Sequence, residues 1–274
     1  MTPPVALTVA GSDSGAGAGI QADLKTFAAL GVFGTCAITA VTAQNTREVR
    51  LVHPLPAELV TAQIDAVLDD FSVAAVKTGM LADASIVAAV ADLGHAGRLP
   101  NLVVDPVLVS SSGTRLLDVD AERAYLDLLL PCARVITPNL AEAEALLGVT
   151  IATRGDQRDA ARAIAGQGGA VVVVKGGHPV ADGDGDEDAV DVVWDGASMT
   201  ELRATRIDTA NAHGSGCSFA SAVTAGLARG LEVHEALRAA KTFVHRAIAA
   251  GALWRLGAGH GPLDHFGFDQ EEHA

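Results

Sequence analysis

Short runs of β-branched and small apolar residues recur along this chain, and a helical stretch follows almost every one of them. The runs are Val5–Ala10, Thr35–Gln44, Val73–Lys77, Leu102–Val107, Val135–Thr137 and Ala170–Val174. Strands that read as near-continuous apolar segments are those buried on both faces, and a parallel sheet needs a crossover between neighbours. The intervening segments carry helical spacing: Ile20, Leu24, Phe27 and Leu30; Leu59, Val60, Ile64, Val67 and Leu68; Ile86, Val87, Val90 and Leu93 behind a capping Asp83. Further helices are predicted at 120–130, after Asn139 with Gly148 as the stop, behind a capping Asp156, after Cys217, and at 233–250. Ala189–Trp194 and Leu202–Ile207 read as outer strands. The pattern predicts one α/β domain over residues 1–274, with a mostly parallel central sheet covered by helices on both faces. An acidic, solvated loop at about 181–189 and a tail with little order from about 264 complete it. Apolar residues make up 49% of the chain and aromatics only 4%, so the core must be built from Ala, Val, Leu and Ile.

The formal charge is −14, with no basic cluster, which argues against nucleic acid or an anionic membrane as partner. Cys36, Cys132 and Cys217 are far apart and odd in number, so a disulfide or zinc framework is not expected, and a reducing cytoplasm is the simplest setting. The N-terminus lacks the basic region of a secretory signal. Residues 26–46 are uncharged, but Gly31, Gly34, Gln44 and Asn45 break the segment into a helix end and a strand, not a membrane span. Asp182-x-Asp184-x-Asp186 has the start of a calcium loop. It lacks the glycine at the sixth position and the glutamate at the twelfth, so a calcium site is rejected.

The chemistry concentrates where strands end. Gly214-Ser215-Gly216-Cys217 is a tight turn feeding a helix. The first N–H groups of a helix have no internal partner and carry partial positive charge, which suits a phosphoryl group. A thiol at that mouth is expected to have a lowered pKa and to act as base or nucleophile; alternatively Cys217 is a small buried hydrophobe. The glycine-rich stretch 11–19 enters another helix. Its Gly17-x-Gly19-x-x-Ala22 is a loose dinucleotide fingerprint, but Ala37–Ala43 lacks the acidic residue such a site expects. Close backbone approach to a small ligand is the other use. Gln44 is a turn residue or a ligand contact. Asp105 faces a ligand crevice or caps a helix. Glu142, three residues after Asn139, complements the helix dipole or joins a magnesium shell. Lys175, beside Gly176-Gly177, reaches phosphate or forms a surface salt bridge.

In order, Gly-Ser-Asp-Ser-Gly-Ala-Gly-Ala-Gly-Ile-Gln-Ala-Asp (11–23), Thr-Ala-Gln44-Asn-Thr, Lys-Thr-Gly-Met80, Val-Asp105-Pro-Val, Thr-Pro-Asn139-x-x-Glu142, Val-Lys175-Gly-Gly-His and His-Gly-Ser-Gly-Cys217 resemble one family across essentially the whole chain. It is the hydroxymethylpyrimidine/phosphomethylpyrimidine kinases of thiamine biosynthesis, in the ribokinase-like superfamily. The resemblance implies a three-layer α/β/α fold, often dimeric. It implies ATP-dependent phosphorylation of 4-amino-5-hydroxymethyl-2-methylpyrimidine and then of its monophosphate, with magnesium and a monovalent cation such as K⁺ as candidate helpers. Carried over by position, Gln44 binds the aminopyrimidine edge, and Gly11, Ala18, Asp23, Met80 and Val107 line the pocket. Asn139 and Glu142 order the magnesium–phosphate shell, with Asp105 near it. Lys175 and Lys241 reach nucleotide phosphates. Gly214, Ser215 and Gly216 form the anion hole and Cys217 is the base, where most ribokinase-like sugar kinases use Asp.

Three positions depart from the family pattern. Ser215 stands where Thr is common, Ser218-Phe219 where Thr-Leu is usual, and Ala212 replaces a common Thr. The first two keep the backbone chemistry, whereas Ala212 removes a hydroxyl near the nucleotide. Two rival readings share the pocket: a pyridoxal or pyridoxine kinase, and a non-catalytic pyrimidine sensor.

Overall fold

The computed structural model describes residues 2–108, 119–168, 170–177 and 187–267. Its centre is a nine-stranded sheet in the order β3-β2-β1-β4-β5-β6-β7-β8-β9. The strands are β1 (Val5–Asp13), β2 (Phe33–Gln44), β3 (Val49–Pro54), β4 (Val73–Thr78), β5 (Val103–Val104), β6 (Val135–Ile136), β7 (Val171–Val174), β8 (Asp188–Trp194) and β9 (Met199–Thr205). The pairs β1–β2, β1–β4, β4–β5, β5–β6 and β6–β7 are parallel. The outer pairs β2–β3, β7–β8 and β8–β9 are antiparallel.

Neighbouring residues on a strand face opposite layers, and the core divides accordingly. Val103, Val135 and Val173 pack with α1 (Gly19–Ala29), α7 (Ser215–Ala228) and α8 (Val233–Gly251) through Phe27, Phe219 and Leu237. Val104, Ile136, Val172 and Val174 pack on the other face with α2 (Ala57–Asp70), α3 (Ala84–His95), α5 (Leu140–Leu147) and α6 (Arg154–Ala165) through Ile64, Val87, Leu146 and Ile164. The predicted three layers are therefore present, and the four consecutive valines of β7 serve both cores.

The structure corrects several local expectations. The helix expected at 120–130 is α4 (Val119–Ala124), then one wide π-type turn over Tyr125–Leu129 and a short 3₁₀ turn, Leu130–Cys132. The buried Tyr125 hydroxyl donates to Gly79 O at 2.9 Å. Asp156 is not the N-cap of α6. Thr153 is, and Asp156 sits three residues on, its carboxylate accepting from the Thr153 N–H in a reciprocal capping box. Asp264 and His265, placed in the tail with little order, are buried. The expected acidic loop lies outside the described residues up to 186, and β8 begins at Asp188. Among the described residues no helix is long and apolar enough to cross a membrane.

Candidate active site

β1, β4, β5, β6 and β7 run parallel, so their C-terminal ends lie along one edge of the sheet, the edge where open α/β sheets bind ligands. β1 bulges between Ala10 and Ser12, and Gly11 lies at the bulge. A Cβ there would stand 2.5 Å from Met80 Cε, the flexible end of a side chain that lies close over Gly11. Beyond it, Asp13 holds the glycine-rich loop. Its carboxylate accepts from the N–H groups of Gly15, Gly17 and Ala18 at 2.8, 3.1 and 2.9 Å. Burial works against that charge, but His213, then Ala18 and Gly15, hold the carboxyl below the usual range.

The loop then meets the start of α7. Gly214, the N-cap, has φ +85°, and a Cβ there would lie 1.8 Å from Gly17 O. Only glycine permits the two loops to touch. Ser215, Gly216 and Cys217 follow as the first turn; the Ser215 N–H donates back to Ala212 O at 3.2 Å, which leaves the Gly216 and Cys217 N–H groups at the helix end. Across from Gly216 is Lys175, whose Nζ would be 3.0 Å from an added Cβ. Lys175 is paired with Asp105 at 2.9 Å, and the Thr137 hydroxyl donates to the same carboxylate at 3.2 Å. An isolated parallel bridge between Lys175 and Asn139 sets the start of α5 beside it. Asn139 and Glu142 form a full capping box: Glu142 Oε2 accepts from the Asn139 N–H at 2.7 Å, and Asn139 Oδ1 from the Glu142 N–H at 2.9 Å. Of the two uses expected of Glu142, the structure has the one at the helix start, as a cap. Burial pushes the Glu142 carboxyl up. Lys175 opposes that and Asp105 adds to it.

Cys217 departs from expectation. It is half-buried, and burial pushes its thiol up to about 11; Lys77 and the Gly19 N–H pull down, while Asp105 and Asp23 push further up. The predicted lowered pKa is therefore wrong for the unliganded protein: helix N–H groups are outweighed by desolvation and two carboxylates. Beneath the sulfur is a closed ionic cluster. Lys77 and Asp23, neither with any exposed surface, pair at 2.9 Å, and Asp23 also accepts from the hydroxyls of Thr8 at 2.6 Å and Ser221 at 2.7 Å. Ser221 is one helical turn below Cys217, so the cluster underlies that face of α7. Asp23 is thus under the pocket floor, not on its wall. Gly79 makes room for the cluster, since a Cβ there would be 2.7 Å from Lys77 Nζ.

Gln44 ends β2, half-buried, with its amide nitrogen 3.4 Å from His213 Nε2. Val107 sits two residues past Asp105, half-buried, at the edge of the described residues. Lys241, on α8, is held by Asp191 at 2.8 Å, and Asp191 also accepts from the Gly176 N–H at 3.0 Å. Sequence reasoning marked Asp13 beside the glycine-rich loop without giving it a role, and gave none to His213 or Lys77. The signals were present in the glycines at 17 and 79, whose missing side chains make space for His213 and Lys77.

The family profile described as phosphomethylpyrimidine kinase matches residues 13–264. The chain belongs to that family. A hydroxymethylpyrimidine/phosphomethylpyrimidine kinase of Rhizobium meliloti is 50% identical over 96% of this chain and 97% of its own. One from Streptomyces coelicolor is 51% identical over 97% and 95%. Among solved structures, the ADP complex of Bacillus subtilis pyridoxal kinase superposes with a TM-score of 0.88 at 38% identity, covering 98% of this chain and all of that one.

The residues fit a magnesium–nucleotide pair in one respect that the geometry tests. A Cβ at Gly216 would stand 3.0 Å from Lys175 Nζ, so the ammonium faces the head of α7 at close range, with Asp105 and Glu142 alongside. Among the described residues no group of three or more His, Cys, Asp or Glu side chains is placed to hold a metal ion. Magnesium, which keeps waters and takes phosphate oxygens beside one or two carboxylates, does not require one.

Proposed function

We propose that this protein transfers the terminal phosphoryl group of ATP to the hydroxymethyl oxygen of 4-amino-5-hydroxymethyl-2-methylpyrimidine, and then to the phosphate of the product. The observation that carries this is the meeting of the α7 N-terminus, Cys217 included, with Lys175 and Asp105 at the sheet edge, in a chain whose relatives at about half identity bear that name. The N–H groups of the first turn of α7 and the Lys175 ammonium hold the transferring group. Phosphoryl transfer asks for little else than positioning and charge stabilisation. Gln44 takes the aminopyrimidine edge, since an amide both donates and accepts. Gly11, Met80, Ala18 and Val107 shape the wall, Asp23 supports the floor, and Lys241 reaches the nucleotide from α8.

Glu142 with Asn139 and Asp105 would hold magnesium, which when bound supplies positive charge against the phosphates and the two carboxylates; a monovalent cation such as K⁺ is a candidate helper. Cys217 is the base. Its thiol is protonated in the free protein, so it serves only in the assembled complex, where the charges around it differ. Exposed Val41 on β2 and Leu51 on the edge strand β3 support a homodimer through that edge, which sedimentation at two concentrations tests. The three free thiols fit a reducing cytoplasm.

One coupled ATP assay across hydroxymethylpyrimidine, its monophosphate and pyridoxal tests the reading. The expected order of kcat/KM places both pyrimidines above pyridoxal. The reverse order favours the pyridoxal kinase reading, which the close superposition on such an enzyme recommends as the alternative. Pyrimidine affinity without ATP turnover would indicate a sensor.

A further inference from the structure

Gln44 makes two contacts through its amide, and neither matches as placed. Its nitrogen is 3.4 Å from His213 Nε2, and its oxygen 3.3 Å from Thr42 Oγ1. A threonine hydroxyl has one proton, and Thr42 already donates it to Ser12 O at 3.0 Å. His213 Nε2 also faces Asp13 Oδ2 at 3.2 Å. Asp13 is ionised, its carboxyl held below the usual range, so it can only accept. The imidazole must therefore carry its proton on Nε2 to meet it, and an Nε2–H cannot accept from an amide nitrogen. Turning the Gln44 amide by a half-rotation keeps its outline, removes the donor-to-donor contact with His213 and leaves the Thr42 proton to Ser12 O alone. Its oxygen then accepts from His213 Nε2–H, shared with Asp13, and its nitrogen donates to Thr42, which donates to Ser12 O.

Resting on the pyrimidine-kinase reading, we infer that the Asp13–His213 pair fixes which end of the Gln44 amide accepts and which donates, and so makes His213 the positioning residue for recognition of a 4-aminopyrimidine. The imidazole is well placed for this. It is buried, its backbone N–H donates to Gly261 O at 3.1 Å, and an added Cβ at Gly17 would be 2.3 Å from its Cδ2. With the inner side of the amide set by His213 and Thr42, the outer edge presents carbonyl and N–H in one order. That order complements an exocyclic amine beside a ring nitrogen. It does not complement a ring that offers hydroxyl and aldehyde groups, and a site built to pair polar groups rejects ligands that leave them unpaired.

Two measurements test this. In the ¹⁵N-labelled wild-type protein, long-range proton–nitrogen spectra are expected to show His213 Nε2 protonated. A neutral ring with its proton on Nδ1 alone would overturn the assignment. In kinetics, His213→Leu is expected to raise KM for hydroxymethylpyrimidine about tenfold or more, from the loss of one oriented hydrogen-bond pair. KM for ATP should stay within about twofold of wild type on the same reasoning. His213→Gln, whose amide can donate from the same region, should recover most of the loss. In a Gln44→Ala background, His213→Leu should change KM no further, because its effect passes through Gln44. Additive losses at the two positions, or an unchanged KM in His213→Leu, would refute the inference. A wild-type protein inactive on hydroxymethylpyrimidine would instead sink the functional reading, and the tautomer measurement would still judge the pairing.

Discussion

Gly214→Ala isolates the contact on which the site geometry depends. An added Cβ would lie 1.8 Å from Gly17 O, 2.8 Å from Gly17 C and 3.2 Å from Ala18 Cα. A carbon–oxygen contact relaxes at about 3.3 Å, so roughly 1.5 Å must open between the glycine-rich loop and the head of α7. Everything struck is backbone, so no side chain can turn aside. The residue also sits at φ +85°, where an L-residue pays about 1–2 kcal/mol. Gly230, just past the other end of α7, is the internal control. It has φ +83° and nothing within 4 Å of an added Cβ. Gly230→Ala should therefore show the backbone cost alone, about 1–2 kcal/mol in urea unfolding, with normal turnover. Gly214→Ala should cost more than the control and lower kcat about 100-fold or beyond, since a displacement near 1 Å of reacting groups has that effect. The assay is steady-state phosphorylation beside equilibrium unfolding for both variants. If Gly214→Ala retained kcat within twofold of Gly230→Ala, the contact between the two loops would not be what positions the phosphoryl cradle.

Three other outcomes are expected. Cys217, with its thiol near 11, should be about 0.1% thiolate at pH 8, against roughly a quarter for an ordinary cysteine; peptide-resolved alkylation of the unliganded protein should run ~100-fold slower at Cys217 than in denaturant. A rate that levels off below pH 9 would contradict the carboxylate environment described. Burial, with Lys25 nearby, lowers the His265 imidazole to about 4, and its Nε2 meets the Ser218 hydroxyl at 2.9 Å. The neutral ring is favoured in the fold, so its stabilisation is complete above pH 6.5 and is lost as pH falls toward 4, about 3 kcal/mol over that window. The stability gap between wild type and His265→Leu should narrow by that amount, and a gap independent of pH would exclude the assignment. Lys77→Met leaves Asp23 buried without its cation and should cost about 3–5 kcal/mol in urea unfolding. Lys77→Met with Asp23→Asn should recover most of it, and a stable single variant would show that Asp23 does not need the ammonium.

What was legible in the chain was mostly local. The valines of β7, the capping Asp83 and the left-handed Gly148 all express short-range chemistry, and each was readable from its neighbours. The edge strand β3 was not. In Val49–Pro54 no residue is fully buried and a proline ends the run, so no alternation marks it, and pairing with β2 alone makes it a strand. The Gly-Ser-Gly-Cys turn was readable as a helix entry with an anion-binding end. Its thiol chemistry was not, because it depends on Asp23, Lys77 and Asp105, which lie on three other segments. The Lys77–Asp23 ion pair spans 54 positions. The one local trace of it is a glycine at 79 where any side chain would strike the ammonium.

Those pairings also answer how so acidic a chain can hold a polyanion. Three lysines near the site are matched to carboxylates: Lys175 to Asp105, Lys241 to Asp191, Lys77 to Asp23; Lys25 instead donates to Ala16 O on the glycine-rich loop at 2.8 Å. A lysine left alone at such depth would tend to lose its proton. With Asp105 and Glu142 beside it, the Lys175 ammonium is instead held more firmly charged than usual, against the pull of burial. The carboxylates thus keep the cations charged and fixed in position, as the phosphate contacts proposed for them require. A paired lysine adds little net charge, so the uncharged N–H groups at the head of α7 add to the attraction proposed for that end. An anion entering there meets fixed dipoles that need no reorganisation, which is where electrostatic stabilisation of a transferring group is strongest. Burial first, and then Asp105 and Asp23, the carboxylates that secure Lys175 and Lys77, hold Cys217 in its thiol form. Asp105 therefore enters both the pairing of Lys175 and the raised Cys217 thiol, and a ligand that draws Lys175 away from Asp105 should alter both together.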